Sequence, residues 1–263
     1  MSGHSKWSTI KHKKEANDAK RGKAFSKVSA QLTHSAKQGG GDPLMNPTLR
    51  MYIDKAKEVG FPIENIEKAI KKGTGEGGDG VVFEEITYEG FGPGGMSIIV
   101  DTLTDNKNRT VSELRKMFEE VGGSMGEIGS VSWNFEVKGL IIIFAGHMEK
   151  SEKYGAEDVF VSDDIEEVMM KIMDIEGVMD IYDFDMDGKK ALEIYTEYSK
   201  LGFVRDSISK LGYVLKEANL VKEPKLEKTL VGDSLAKAKE AIERFEYHND
   251  VQEVWTDVKL EEE

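Results

Sequence analysis

Eight cationic side chains crowd the opening stretch MSGHSKWSTIKHKKEANDAKRGKAFSK: Lys6, Lys11, Lys13, Lys14, Lys20, Arg21, Lys23 and Lys27. Only Glu15 and Asp18 oppose them, so residues 1–27 carry a net charge of about +6, the electrostatic footprint of a surface that neutralises a polyanion. Trp7 either stacks on an exposed base or packs this arm onto its neighbours. His12, between Lys11 and Lys13, is suited to touching phosphate or a base, because adjacent cations disfavour the protonated imidazole that proton transfer would require. The competing reading of such a run is a solvated basic face.

Other residue patterns with chemical meaning fail on context. Gly73 to Gly78 and Gly90 to Gly95 both match GxGxxG. The first follows a helical pattern and opens no helix, so a pyrophosphate would find no helix dipole. The second sits between two strand patterns without the lysine and motifs of a kinase, which leaves a glycine-rich hairpin turn. Asp183, Asp185, Asp187 and Gly188 begin like a calcium loop, yet position twelve is Ile194 and Glu193 falls one residue early; an acidic hairpin turn accounts for them better. Lys138-Gly139-Leu140 opens like an RNA-recognition strand but lacks the stacking aromatics. No nucleophile, base and orienting acid converge, and GxSxG and HExxH are absent, so no catalytic residue is assigned and the protein is expected not to be an enzyme. With no cysteine and five histidines, no metal site and no cofactor are expected.

The elements that would hold the basic arm are legible in the apolar spacing. Phe25, Val28, Leu32 and Ser35/Ala36 recur at helical intervals from about Ala16 until Gly39-Gly40-Gly41. Asn46-Pro47 opens a second helix carrying Leu49, Ile53 and Ala56 to Gly60, and Pro62 a third carrying Ile63, Ile66, Ala69 and Ile70 to Gly73. The glycine- and acid-rich segment Gly73 to Gly80 reads as a linker. Strands are expected over Phe83 to Glu89, Met96 to Thr104 and Ser130 to Glu136, with a helix capped by the box Thr110-Val111-Ser112-Glu113 and ended by Gly122-Gly123. A helix capped by Asp233 or Ser234 and a strand Val251 to Val258 complete that layer. Between them lie a strand Leu140 to Phe144, a helix Asp164 to Ile175, a hairpin of Val178 to Phe184 and Ala191 to Thr196, a helix Val204 to Leu211 and a strand Tyr213 to Leu220.

The fold expected is therefore α+β in three domains: an N-terminal three-helix basic domain (1–79), a middle α/β sandwich (80–137 and 222–263), and an acidic α/β domain (138–221) inserted in it, both sandwiches ferredoxin-like. Charge divides along the same line. The whole chain has a net charge of −13, but residues 1–78 hold fifteen Lys/Arg against eight Asp/Glu (+7), and the remainder twenty-one against forty-one (−20). A basic binding domain tied to acidic ones is implied. No run of about 18 apolar residues occurs and the start lacks the apolar core of a secretory signal, so a cytoplasmic protein without membrane contact is expected.

Several blocks together resemble one family. GHSKW (3–7), IKHKK (10–14), DAKRGKAFSK (18–27), GGGDP (39–43) with the later NP and LR, NIEKAIKKGTGE (65–76), EITYEGFGPGG (85–95), TDNKNRT (104–110), GSVSWNFEVKG (129–139) and DVQEVW (250–255) are similar to the YebC/PmpR pattern in the same order. The match is poorest over Val161 to Lys190. The resemblance implies a three-domain cytoplasmic protein, with some members acting as DNA-binding transcriptional regulators and others, including a mitochondrial branch, as ribosome-associated translation activators. It implies no catalytic residues and no cofactor.

Residues and resemblance together point to a non-enzymatic nucleic-acid-binding regulator of gene expression, with DNA or ribosomal RNA as partner and no small-molecule substrate. Its contacts are expected at Lys6, Trp7, Lys11, His12, Lys13, Lys14, Lys20, Arg21, Lys23 and Lys27, holding phosphates with little base-edge readout. The alternatives are a ribosome-associated, rRNA-binding translation activator and a protein-interaction adaptor whose acidic domains recruit a basic partner.

Overall fold

The computed structural model describes residues 18–76, 82–149 and 159–259. Of these, residues 137–149 and 159–223 form one compact unit, while 18–76, 82–136 and 224–259 form the other. The helical segment and the sheet layer that follows it thus belong to the same unit. The chain is an α+β protein: three helices, then two sheet-containing regions.

Helices α1 (Asp18–Gly39), α2 (Pro47–Glu58) and α3 (Ile63–Thr74) follow the apolar stripes expected of them. Val28, Leu32 and Ala36 of α1 bury against Leu49 and Ala56 of α2 and Phe61, Ile66 and Ala69 around α3. Asn46 does more than cap α2. Its side-chain oxygen accepts from Leu49 N–H at 3.0 Å, and its amide donates to the carbonyls of Ser35 and Gly40, each at 2.9 Å. One buried side chain therefore fixes the start of α2 against the end of α1. Gly73 was expected to end α3, but the helix runs one residue further and its cap is Gly75 at φ 84°. A Cβ at Gly73 would sit 2.3 Å from the Thr33 carbonyl oxygen. Its role is close approach of α3 to α1, and residues 77–80 of the expected linker lie outside the described residues.

The same unit contains β1 (Glu84–Phe91), β2 (Ser97–Thr104), α4 (Lys107–Glu120) and the short β3 (Ser124–Met125). In the other unit follow most of β4 (Phe135–Glu149), β5 (Val159–Ser162), α5 (Ile165–Met173), β6 (Val178–Met186), β7 (Lys189–Glu197), α6 (Leu201–Lys210) and β8 (Tyr213–Pro224). The chain then returns with β9 (Lys228–Thr229), α7 (Gly232–Glu246), β10 (Val251–Thr256) and β11 (Val258–Lys259). The first unit's sheet is antiparallel in the order β10-β2-β1-β3. Helices α4 and α7 supply Leu114, Phe118, Leu235, Ala238, Ile242 and Phe245 to the core on Ile98 and Val100, with Phe118 and Phe245 rings 4.6 Å apart. Alternate residues of β2 reach the opposite face, where Ile99 packs with Val131, Phe135 and Trp255.

Three expected boundaries are corrected. Helix α4 begins at Lys107 with Asn106 as its cap, accepting from Arg109 N–H at 3.1 Å, so Thr110 is a buried residue inside the helix. Helix α7 begins at Gly232 after Val231 without a side-chain cap; Asp233 instead pairs with Lys237 at 2.8 Å. Residues 130–131 are a turn that leads into a single 3-10 turn at Ser132–Asn134 ahead of Phe135, and β1 pairs with β3. The reason is Glu89. Its buried carboxylate accepts N–H bonds from Gly129 (2.9 Å), Val131 (2.8 Å) and Ser132 (2.9 Å), which withdraws these amides from any ladder. Burial alone would raise the Glu89 pKa, but these bonds outweigh it and hold the group below the ordinary carboxylate value.

In the second unit the sheet runs β5-β4-β7-β6, with β8 also on β4. Leu140 to Ala145 are buried without alternation, as in a strand covered on both faces. Asp187 (φ 52°) and Gly188 (φ 71°) make the two-residue turn between β6 and β7, and Asp183 and Asp185 pair in the ladder with Leu192 and Lys190. That is an acidic hairpin, as the sequence suggested. Among the described residues no helix is long and apolar enough to cross a membrane. Glu89→Ala leaves three loop amides without their acceptor and should cost on the order of 3 kcal/mol, read as a lower urea midpoint, whereas exposed Glu84→Ala should shift it by less than about 0.5 kcal/mol.

Candidate nucleic-acid interface

Of the expected contact residues, Lys6, Trp7, Lys11, His12, Lys13 and Lys14 lie outside the described residues. Lys20 and Arg21 fall in the first turns of α1, where the backbone alone is described. Lys23 and Lys27 are described fully, and both are engaged. Lys27 Nζ donates to the Glu246 carbonyl at 2.9 Å, and Lys23 Nζ donates to the Tyr247 carbonyl while lying 3.3 Å from the centre of the Tyr247 ring. These carbonyls end α7, where unsatisfied acceptors and the negative helix terminus favour a cation. Burial pulls the Lys27 ammonium below its ordinary value, partly offset by Glu253 and Glu246. The two lysines therefore clamp α1 to α7.

A groove of about 590 Å³ opens beside this clamp, within the same unit. One wall is α3, whose Asn65, Lys68 and Lys72 line it together with Phe25 of α1. Across it stand Phe83, Arg109 and Asn249. Lys68 and Lys72 are exposed and make no ion pair among the described residues. Arg109 is held differently: its guanidinium bonds Asp250 at 2.8 Å and Asp105 at 3.0 Å.

Asp250 is the node behind that wall. Its Oδ2 also receives the hydroxyls of Thr110 (2.7 Å) and Thr104 (3.1 Å), and its backbone carbonyl accepts from Leu103 N–H at 2.8 Å. Burial would raise its pKa, but the bonds from Arg109, Thr110 and Thr104 win and lower it. Glu113, His248 and Asp250 bring three ligand-type atoms within 4.8 Å of one another. The chemistry opposes a cation there. His248 Nδ1 accepts from Asp250 N–H at 3.1 Å, so Nε2 carries the proton it shows Glu113 at 2.8 Å, and Arg109 already supplies the positive charge.

Residues 5–76 match the TACO1/YebC protein N-terminal domain and residues 83–258 the TACO1/YebC second and third domain. The chain belongs to the TACO1/YebC family. A relative from Trichlorobacter lovleyi is 43% identical over 265 residues, covering 99% of this chain and 96% of its own, and one from Dictyoglomus turgidum is 43% identical over 263 residues, covering 100% and 98%. Each bears the name "Probable transcriptional regulatory protein". The crystal structure of a conserved hypothetical protein from Aquifex aeolicus superposes with a TM-score of 0.77 at 35% identity, covering 98% of both chains. The chain is thus similar in sequence to these two relatives, and in fold to the Aquifex protein, over 98% or more of its length.

Sequence reasoning had not singled out Lys68, Lys72, Arg109 or Asp250 as a group. The signal was present as an i, i+4 lysine pair inside NIEKAIKKGTGE and as the blocks TDNKNRT and DVQEVW, which meet only in the folded unit. A depressed folded pKa at Asp250 contributes stability that is complete above the unfolded aspartate value of about 3.9 and disappears as pH falls through the folded value. Asp250→Asn should therefore lower the urea midpoint at pH 7 and flatten the acid limb of the stability profile, followed by tryptophan fluorescence from pH 7 to 2.

Proposed function

We propose that the protein is a non-enzymatic, nucleic-acid-binding regulator of gene expression. The observation that carries this reading is the segregation of charge: residues 1–78 hold a net +7 beside −20 in the remainder. The three helices bury their apolar stripes against one another, which leaves Lys37, Arg50, Lys55, Lys57, Lys68, Lys71 and Lys72 facing solvent or half-exposed. The acidic regions would repel phosphate, so a polyanion is directed to this segment.

On this reading Lys6, Lys11, Lys13, Lys14, Lys20 and Arg21 engage phosphates, with Trp7 and His12 beside them. Lys23 and Lys27 join them only by leaving the carbonyls of Glu246 and Tyr247. The chain carries three domains in the order read from its sequence, the acidic one inserted in the middle one. DNA is the partner suggested by the relatives' names. Ribosomal RNA satisfies the same electrostatics, and co-sedimentation with ribosomes against promoter footprinting separates the two.

If about six cations engage duplex phosphate, log K should fall with log salt at a slope near −5. Changing Lys11, Lys13, Lys14 and Arg21 to Ala should weaken binding and bring that slope to about −2, measured by fluorescence anisotropy across a salt series. Unchanged affinity and slope would remove the basic segment from the interface.

A further inference from the structure

We infer that the groove between α3 and the Arg109 wall is a binding site for unpaired nucleotides, so that the protein prefers single-stranded nucleic acid to duplex. The inference rests on the nucleic-acid reading above and deepens it.

The lining combines three kinds of group in one groove. Lys68 and Lys72 stand one helical turn apart on α3, with Cβ atoms about 6 Å from each other, a spacing that suits successive phosphates of an extended strand. Both ammonium groups are exposed and unpaired among the described residues. Phe25 packs edge-on against Phe61 at 5.1 Å and so forms the apolar floor of the groove, while half-buried Phe83 borders it with Lys72 Nζ 5.9 Å from its ring centre. Asn65 and Asn249 add amides able to donate to and accept from a base edge. Aromatic faces beside a row of cations are how single strands are held, because every base offers a π-face and every linkage a phosphate.

The chemistry of the lining favours a single strand over duplex. Paired DNA hides its base faces in the stack, and its major groove is read by an element that protrudes into it. This site is an open groove whose lining sets ring surface and amides beside its cations. A duplex lying over it would touch Lys68 and Lys72 with its backbone and leave Phe83 and the asparagines out of contact. Only an unstacked nucleotide uses the whole lining. Arg109 offsets one of the two carboxylate charges of Asp105 and Asp250 that also border the groove, and Lys68 and Lys72 on the α3 side supply two positive charges against the remaining one.

The experiment is fluorescence anisotropy of the full chain with an oligonucleotide of about 12 nucleotides, as single-stranded RNA, single-stranded DNA and duplex DNA of one sequence. Tighter binding of either single strand than of duplex is expected, about tenfold at equal salt; the RNA and DNA arms tell which sugar the site accepts. Changing Lys68 and Lys72 together to Gln should reduce the single-strand salt slope by about 1.4. Phe83→Ala should cost about tenfold in single-strand affinity. The lysine variant alters exposed residues only, so it reports binding even where Phe83→Ala lowers stability. Duplex binding as tight as single-strand binding, or wild-type affinity and slope in the lysine variant, overturns the inference. If the lysine variant is silent while the Lys11, Lys13, Lys14 and Arg21 variant loses binding, the groove falls and the regulator reading stands. If the wild-type chain binds none of the three, both fall.

Discussion

The buried carboxylate of Asp250 is the point on which the first unit depends. It sits where the chain leaves α7 for β10, and it gathers the hydroxyl that closes β2 (Thr104), the one inside the first turn of α4 (Thr110) and the guanidinium of Arg109. The end of β2 and the start of α4 are thereby tied to one acceptor 140 residues further along the chain. Leaving such a charge without partners would cost several kcal/mol, so the elements cannot drift independently. The same contacts neutralise Asp250 and aim Arg109 at the groove, which makes a stability device part of the candidate site.

A second constraint acts on the helical segment. Lys23 and Lys27 cap the C-terminus of α7, giving the orphan carbonyls of Glu246 and Tyr247 their donors. A run of positive charge read from sequence is uniform, but the folded chain divides it. Some cations are used to hold the helices to the sheet layer, while others, such as Lys68 and Lys72, face solvent. Salt dependence should reflect the second group, and stability the first.

Much of the fold was legible. The three apolar stripes of α1 to α3, the Asn46-Pro47 start, the hairpin around Asp187-Gly188 and the αβ pair near the C-terminus follow from periodicity and turn chemistry, because these are local preferences that tertiary packing here reinforces. The misses share a cause. Thr110 looks like a cap because hydroxyl residues favour that position, yet Asn106 takes the role and Thr110 is drawn inward by Asp250. Residues 130–134 look like a strand, yet Glu89 collects their amides from a different part of the chain. Gly73 looks like a stop, yet it is needed where the α1 backbone passes at 2.3 Å from a would-be Cβ.

What the sequence determined by itself is what depends on neighbours along the chain: the helix and strand types, the acid–base asymmetry, the exclusion of thiolate chemistry, and the resemblance of its motif blocks to one family. Tertiary structure alone decided which charges are spent and which remain. Whether a lysine meets a carbonyl or solvent, or a carboxylate gathers three donors or none, turns on residues distant along the chain, from a separation of 40 for Glu89 and Gly129 to 141 for Arg109 and Asp250. Burial then sets the strength of each contact, since a hydrogen bond to a desolvated charge outweighs the local propensity that a residue type carries in water.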